Sequence, residues 1–163
     1  MDLRKLVVVG LPPGMVDEAH RRRLEARAGT IVSLPRGDGR PAGELADADG
    51  LIVGFAVPVP AGLIDAAPRL RYLGVASTAY DAVDVGHARA RGVTVTTLPG
   101  YNTEPVAQFV LAVMLEQASG LTEGRRLRAE GSFSPLGFPA RQFAGSEVGL
   151  VRLGAIEIGR AHV

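Results

Sequence analysis

Residues 98–117 read LPGYNTEPVAQFVLAVMLEQ, and placing this stretch decides how the rest of the chain is arranged. Pro99-Gly100 signals a turn, and Pro105 suits the first turn of a helix, where its missing N–H would have no partner anyway. Thr103 is placed to act as N-cap, with Glu104 and Gln108 in or near the first turn. From Val106 the apolar residues Phe109, Val110, Val113, Met114 and Ala118 recur at helical spacing, and Ala107, Leu111, Ala112 and Leu115 fill much of the remainder. A helix apolar on nearly every side is expected to be buried rather than to lie on a surface. Read alone, it is a core helix without chemistry.

Outward from it, toward the N-terminus, the chain alternates between two periods. Short β-branched runs at 5–10 (KLVVVG), 30–34 (TIVSL), 51–55 (LIVGF), 69–75 (RLRYLGV) and 93–97 (VTVTT) read as strands. Between them, helices are expected at 15–28, 58–67 and 85–91, the last capped by Asp84 and ended by Gly92. Strand and helix in repeated alternation imply an α/β fold, a flavodoxin-like, doubly wound, parallel five-stranded sheet. Right-handed crossovers leave ligands at the carboxyl ends of the strands. Two such ends are the loops 76–82 and 98–103.

Composition removes several function classes. Net charge is +1, so charge gives no reason to expect nucleic acid or an anionic membrane as partner. No cysteine is present, which excludes disulfide and thiol chemistry. No apolar run reaches transmembrane length, and MDLRKLVVVG turns polar too soon for a signal peptide. Seventeen Arg accompany a single Lys, with abundant Ala and Gly, a sign of GC-rich coding; the expected setting is bacterial cytoplasm. Arg21–Arg23 form a solvated helix face, since no aromatic interleaves them. Arg36-Gly37-Asp38 is a Gly/Pro turn. Asp47 and Asp49 precede Gly50 but lack the further ligands of a calcium loop, so no metal is expected. No G-x-S-x-G occurs, so no serine nucleophile is supported.

The run from Leu73 to Glu116, LGVASTAYDAVDVGHARARGVTVTTLPGYNTEPVAQFVLAVMLE, resembles the D-2-hydroxyacid dehydrogenase family, in particular the branch of glycerate dehydrogenases and hydroxypyruvate reductases. Tyr80-Asp81, Val83-Asp84, Ala88 to Gly92 and PGYNTEPVAQ carry the likeness, which extends over about 47–156. It implies hydride transfer between NAD or NADP and C2 of a small 2-hydroxy or 2-oxo acid, in a full-length parent that is a homodimer. It further implies that main-chain N–H groups around Ser77, Thr78 and Ala79 receive the substrate carboxylate. Tyr101 and Asn102 would line the same cleft, and Val106 would lie against the nicotinamide. The family usually has glycine where this chain has Ala79, which narrows the loop. The division implied is a substrate-binding lobe over 1–118, a helix and connector over 119–145, and the first strand of a dinucleotide-binding domain over 146–156. A non-catalytic ligand-binding or corepressor-like module on the same fold is the competing expectation.

Chemistry thins out toward the C-terminus. A strand followed by G-x-G-x-x-G is the dinucleotide fingerprint. In this register its positions hold Arg152, Gly154 and Glu157, so the cofactor-facing turn Gly154-Ala155-Ile156 keeps one glycine of three. A long side chain and a carboxylate stand where pyrophosphate should approach, and no NAD is expected on this chain. The family's catalytic arginine, glutamate and histidine have no counterpart, and His20, His87 and His162 are not substitutes, the first two being expected exposed on helices. Residues 158–163 back-translate as ATC GGA AGA GCA CAC GTC, the start of a common sequencing-library adapter. Residues 157–163 are therefore expected to be a non-native tail. Phe133, Phe138, Phe143 and a fragmentary strand at 148–156 are expected to leave apolar surface open.

Overall fold

The computed structural model describes residues 2–12, 14–38, 40–132, 138, 140–151, 154 and 156. It divides into two compact units, Met1–Pro99 and Gly100–Val163.

In the first unit five strands, β1 (Leu3–Val9), β2 (Ala28–Leu34), β3 (Gly50–Val53), β4 (Tyr72–Val75) and β5 (Thr94–Thr96), form one sheet in the order β2-β1-β3-β4-β5. Every pairing is parallel. That order, with the reversal beside β1, is the flavodoxin-like winding expected from the alternation. Register puts Val7, Val9, Leu51, Val53, Leu73 and Val75 on one face, packed with Leu45, Ile64 and Ala88. These three come from α2 (Pro41–Leu45), α3 (Ala61–Asp65) and α4 (Val85–Ala90). Leu45, Leu51, Ile64 and Leu73 are fully buried, each stabilising by about 1.5–3 kcal/mol. The opposite face is thinner. Leu6, Val8 and Ala28 pack there with Ile31, Ile52 and Leu24 of α1 (Glu18–Glu25). A groove of about 800 Å³ lined by Leu11, Val16, Leu24 and Ile52 remains beside that helix.

Several expected elements are trimmed. The first helix begins at Asp17, whose carboxylate accepts from the His20 N–H, rather than at residue 15. Arg21 and Arg22 bind Glu18 on its exposed side, as a solvated face does. The Pro/Gly-rich loop after β2 contains α2, a single turn started by Pro41. In the turn before it, Arg40 forks onto Asp38. The third strand stops at Val53 instead of residue 55. Asp84 does cap α4, accepting from the His87 N–H, and Gly92 follows at φ +72°.

The second unit holds α5 (Thr103–Ser119) and α6 (Leu121–Ala129), joined at Gly120 in the left-handed conformation. Asn102, not Thr103, is the N-cap. Helix α5 is not buried all round: Ala107 and Ala118 are buried, while Phe109, Val113 and Leu115 are 68%, 48% and 55% exposed. Its covered residues, Val106, Ala107, Val110, Leu111, Met114 and Ala118, make one stripe at helical spacing. Apolar composition permits burial on every side, but only opposing elements deliver it. Downstream, the Arg141 N–H donates to Ala118 O; Phe138 and Phe143 are half-buried rather than open, whereas Val148, Leu150 and Val151 are exposed. The strand expected from Glu147 is not formed over 147–151, since a solitary strand has no ladder to pair its N–H and C=O groups. Phe133 and the tail 157–163 lie outside the described residues.

Candidate functional site

The loop that leaves β4 is anchored along its length. The Ala76 N–H donates to Val53 O at 2.8 Å, keeping the end of β4 level with that of β3. The Leu98 N–H donates to Ser77 O at 3.0 Å and Thr78 Oγ1 donates to Leu98 O at 3.0 Å, so the segments after β4 and β5 are side by side at one rim. Ser77, buried at 2% exposure, turns its hydroxyl inward and donates to Ala79 O at 2.5 Å. Val83, buried against Val59 through a parallel bridge, ends the loop. Ala79 does not have positive φ, so its methyl introduces no backbone strain where a glycine is usual.

This folding leaves donors over. Among the described residues, no hydrogen bond takes up the N–H of Ser77, Ala79 or Tyr80. Over 76–80 there is no acidic or basic side chain. A cluster of unclaimed main-chain N–H groups at the carboxyl end of a parallel strand suits an anion. Thr78, Ala79 and Tyr80 are exposed on the same loop.

The neighbouring loop, after β3, has a backbone that sequence reading did not anticipate. A Cβ on Gly54 would stand 2.3 Å from Gly10 O. The two backbones therefore lie in contact here, and the chain leaves the strand and turns at Phe55-Ala56. Phe55 follows, 67% exposed, and then Ala56 at φ +53°, the one positive-φ residue other than glycine among the described residues. Arg36, from the end of β2, donates from Nη2 to Ala56 O at 3.0 Å. The order Gly-Phe at the end of an apolar run was the available sequence signal for Phe55; nothing in sequence announced Arg36.

Displaced titrations concentrate elsewhere. At the amino ends of the strands, the Arg4 guanidinium beside Asp49 holds its buried carboxyl below the usual range. Lys5 is raised by Asp47 and Glu44. Asp49 also accepts from the Arg4 N–H, and its own carbonyl accepts from the Arg71 and Tyr72 N–H groups, so its role is to join strands. His20 is exposed beside Asp17. His87 is half-buried rather than exposed, contacting Asp65 at 2.9 Å in a cluster completed by Arg91. Neither histidine is on the rim loops. No group of metal-ligating side chains occurs among the described residues, and no described helix is long and apolar enough to cross a membrane.

In the second unit, Tyr101 is 56% exposed, and Asn102 and Val106 are half-buried at the start of α5. Gly154 is an exposed bend and Ile156 is half-buried. Ala155, Arg152 and Glu157 lie outside the described residues. With no strand over 147–151 to present a turn, and with Arg152 and Glu157 in the fingerprint positions, the residues present do not fit a dinucleotide.

The parallel five-stranded sheet in the order β2-β1-β3-β4-β5, with main-chain donors left over at its carboxyl rim, defines the class as a doubly wound α/β lobe. The family model described as D-isomer specific 2-hydroxyacid dehydrogenase, catalytic domain, matches residues 16–149, and the chain belongs to that family. It is 32% identical over 114 residues to a glyoxylate reductase of Korarchaeum cryptofilum, covering 68% of this chain and 34% of that protein. Among solved structures, the TT0316 protein of Thermus thermophilus matches with a TM-score of 0.84 at 27% identity, covering 97% of this chain and 51% of the other. The NADPH-dependent glyoxylate/hydroxypyruvate reductase of Sinorhizobium meliloti, in complex with citrate, matches with a TM-score of 0.70 at 30% identity, covering 99% and 50%. The chain thus spans about a third of that curated relative and half of those solved chains.

Proposed function

We propose that this chain is the substrate-binding part of an NAD(P)-dependent oxidoreductase that interconverts a small D-2-hydroxy acid and its 2-oxo acid, of the glycerate/hydroxypyruvate kind. The observation that carries the reading is the set of unclaimed N–H groups of Ser77, Ala79 and Tyr80 at the carboxyl end of β4. A carboxylate placed there accepts fixed donors without an opposing side-chain charge, and the buried Ser77 hydroxyl holds the loop in shape. Thr78 belongs to the same cradle, and Tyr101 and Asn102 are assigned to its lining. Val106 is assigned to the nicotinamide side in the whole enzyme; Gly154, Ala155 and Ile156 stand at the place of its cofactor turn, which Arg152 and Glu157 leave unfit for a dinucleotide in this chain. Hydride chemistry comes from the bound nicotinamide of that enzyme. Among the described residues no histidine stands on the rim loops, and the chain is inactive by itself. The whole enzyme is a homodimer.

The test is direct. Glyoxylate and its unreactive analogue oxamate should shift or protect the amides of 76–80 in the isolated chain, and no oxidation of NADH or NADPH should accompany glyoxylate. An absence of any effect of either acid on 76–80 rejects the site. Turnover by the chain alone rejects its inactivity.

A further inference from the structure

The loop after β3 is held more firmly than an exposed surface turn requires. Gly54 rests on the backbone of Gly10, and a side chain at either position would collide: at Gly54 with Gly10 O at 2.3 Å, at Gly10 with Val57 Cγ2 at 2.7 Å. Val57 is buried at the far end of the turn. Between these fixed points Ala56 occupies the left-handed region at φ +53°, which an alanine leaves readily unless its surroundings impose it. Among the described residues, Arg36 is the side chain that hydrogen-bonds this bend, with its Nη2 on Ala56 O. It reaches there from the end of β2, across the end of β1, since the strand order places β1 between β2 and β3. What the clamp presents is Phe55, an exposed ring. Its loop leaves the sheet beside the Ser77 loop, because the Ala76 N–H is bonded to Val53 O.

We infer that Arg36 is a positioning residue: by holding the carbonyl of Ala56 it fixes the left-handed bend and so the place of Phe55 as a wall beside the 76–80 cradle. The inference rests on the reading of that cradle as a 2-oxo-acid site for its consequence, but not for its mechanics. The Arg36 guanidinium is engaged by a neutral carbonyl, so the bend offers an incoming acid an exposed apolar ring rather than a free cation. That favours a substrate whose only anionic group is the carboxylate held by the N–H cluster, with the ring of Phe55 facing the rest of it.

Hydrogen exchange read by mass spectrometry on the 163-residue chain, at micromolar concentration, separates the two layers. In Arg36→Ala, the peptide over 53–60 should exchange about tenfold faster, with the peptides of β1 and β4 unchanged. Adding Ala56→Gly to Arg36→Ala should recover part of that protection, because glycine adopts the bend unaided. A purely general stabilising role predicts instead faster exchange across the whole sheet and no rescue. Either that pattern or wild-type exchange at 53–60 in Arg36→Ala overturns the inference. Oxamate and phenylpyruvate are the ligand probes. Their affinity ratio should change at least severalfold in Arg36→Ala, while protection of 76–80 by oxamate persists; an unchanged ratio removes Phe55 from the site. Failure of oxamate to protect 76–80 in the wild type would reject the carboxylate site and leave the clamp standing.

Discussion

Ala56 pays for its shape in backbone strain, and that makes its replacement informative. A left-handed alanine is about 1–2 kcal/mol less favourable than glycine in the same bend, partly offset by the greater freedom of glycine in the unfolded chain. Ala56→Gly should therefore raise stability by about 0.5–1 kcal/mol, seen as a higher urea midpoint with an unchanged slope. Asp49 gives a prediction in pH. Its folded carboxyl is held below the ordinary range, first by the Arg4 side chain. Its contribution is then complete above the unfolded value of about 4 and is lost as pH falls through the lower folded value. The urea midpoint of Asp49→Asn should lie below that of the wild type at neutral pH, and the gap should narrow on acidification below about pH 4. The place of the 76–82 loop at the end of β4 was legible because strand periodicity marks where that strand stops, whereas Ser77, Thr78 and Ala79 were singled out by family likeness alone. Arg4 and Asp49, 45 residues apart, and Arg36 and Ala56, 20 apart, were not, because only the finished strand order brings them together.

At the level of elements, Gly54 marks where local pattern and tertiary contact disagree. LIVGF has the look of an uninterrupted strand, yet β3 ends at Val53, and Gly54 sits where the Gly10 carbonyl occupies the space a side chain would need. Backbone cannot yield as a flexible side chain can. Gly54→Ala is expected to lower stability by about 3 kcal/mol or more, measured as a loss of soluble folded chain or a large fall in midpoint. The order of strands and helices was readable because period 2 and period 3.6 alternate cleanly. Helix ends were readable where a capping side chain exists, as at Asp84, and less so where proline opens a single turn, as at Pro41. The exposure of α5 was not readable at all: a uniformly apolar sequence does not say which of its sides finds a neighbour.

For the whole molecule, that exposure has a price in solubility. Phe109, Val113 and Leu115 on α5, with Val148, Leu150 and Val151 further on, present apolar side chains to solvent, and surfaces of this kind promote association. The isolated chain should self-associate with rising concentration, and Phe109→Ser combined with Val113→Ser and Leu115→Gln should reduce it. Since these positions are exposed, the triple variant should alter folding stability by no more than about 0.5 kcal/mol per site; light scattering and a urea titration check both parts. A last consequence belongs to the meeting of Gly10 and Gly54. Two main chains in direct contact leave little slack beside the proposed carboxylate site, so recognition there is expected to resemble a key entering a finished lock. Stopped-flow mixing with oxamate should give a single exponential whose rate climbs linearly with ligand concentration, and a plateau would reveal a slow rearrangement contrary to this expectation.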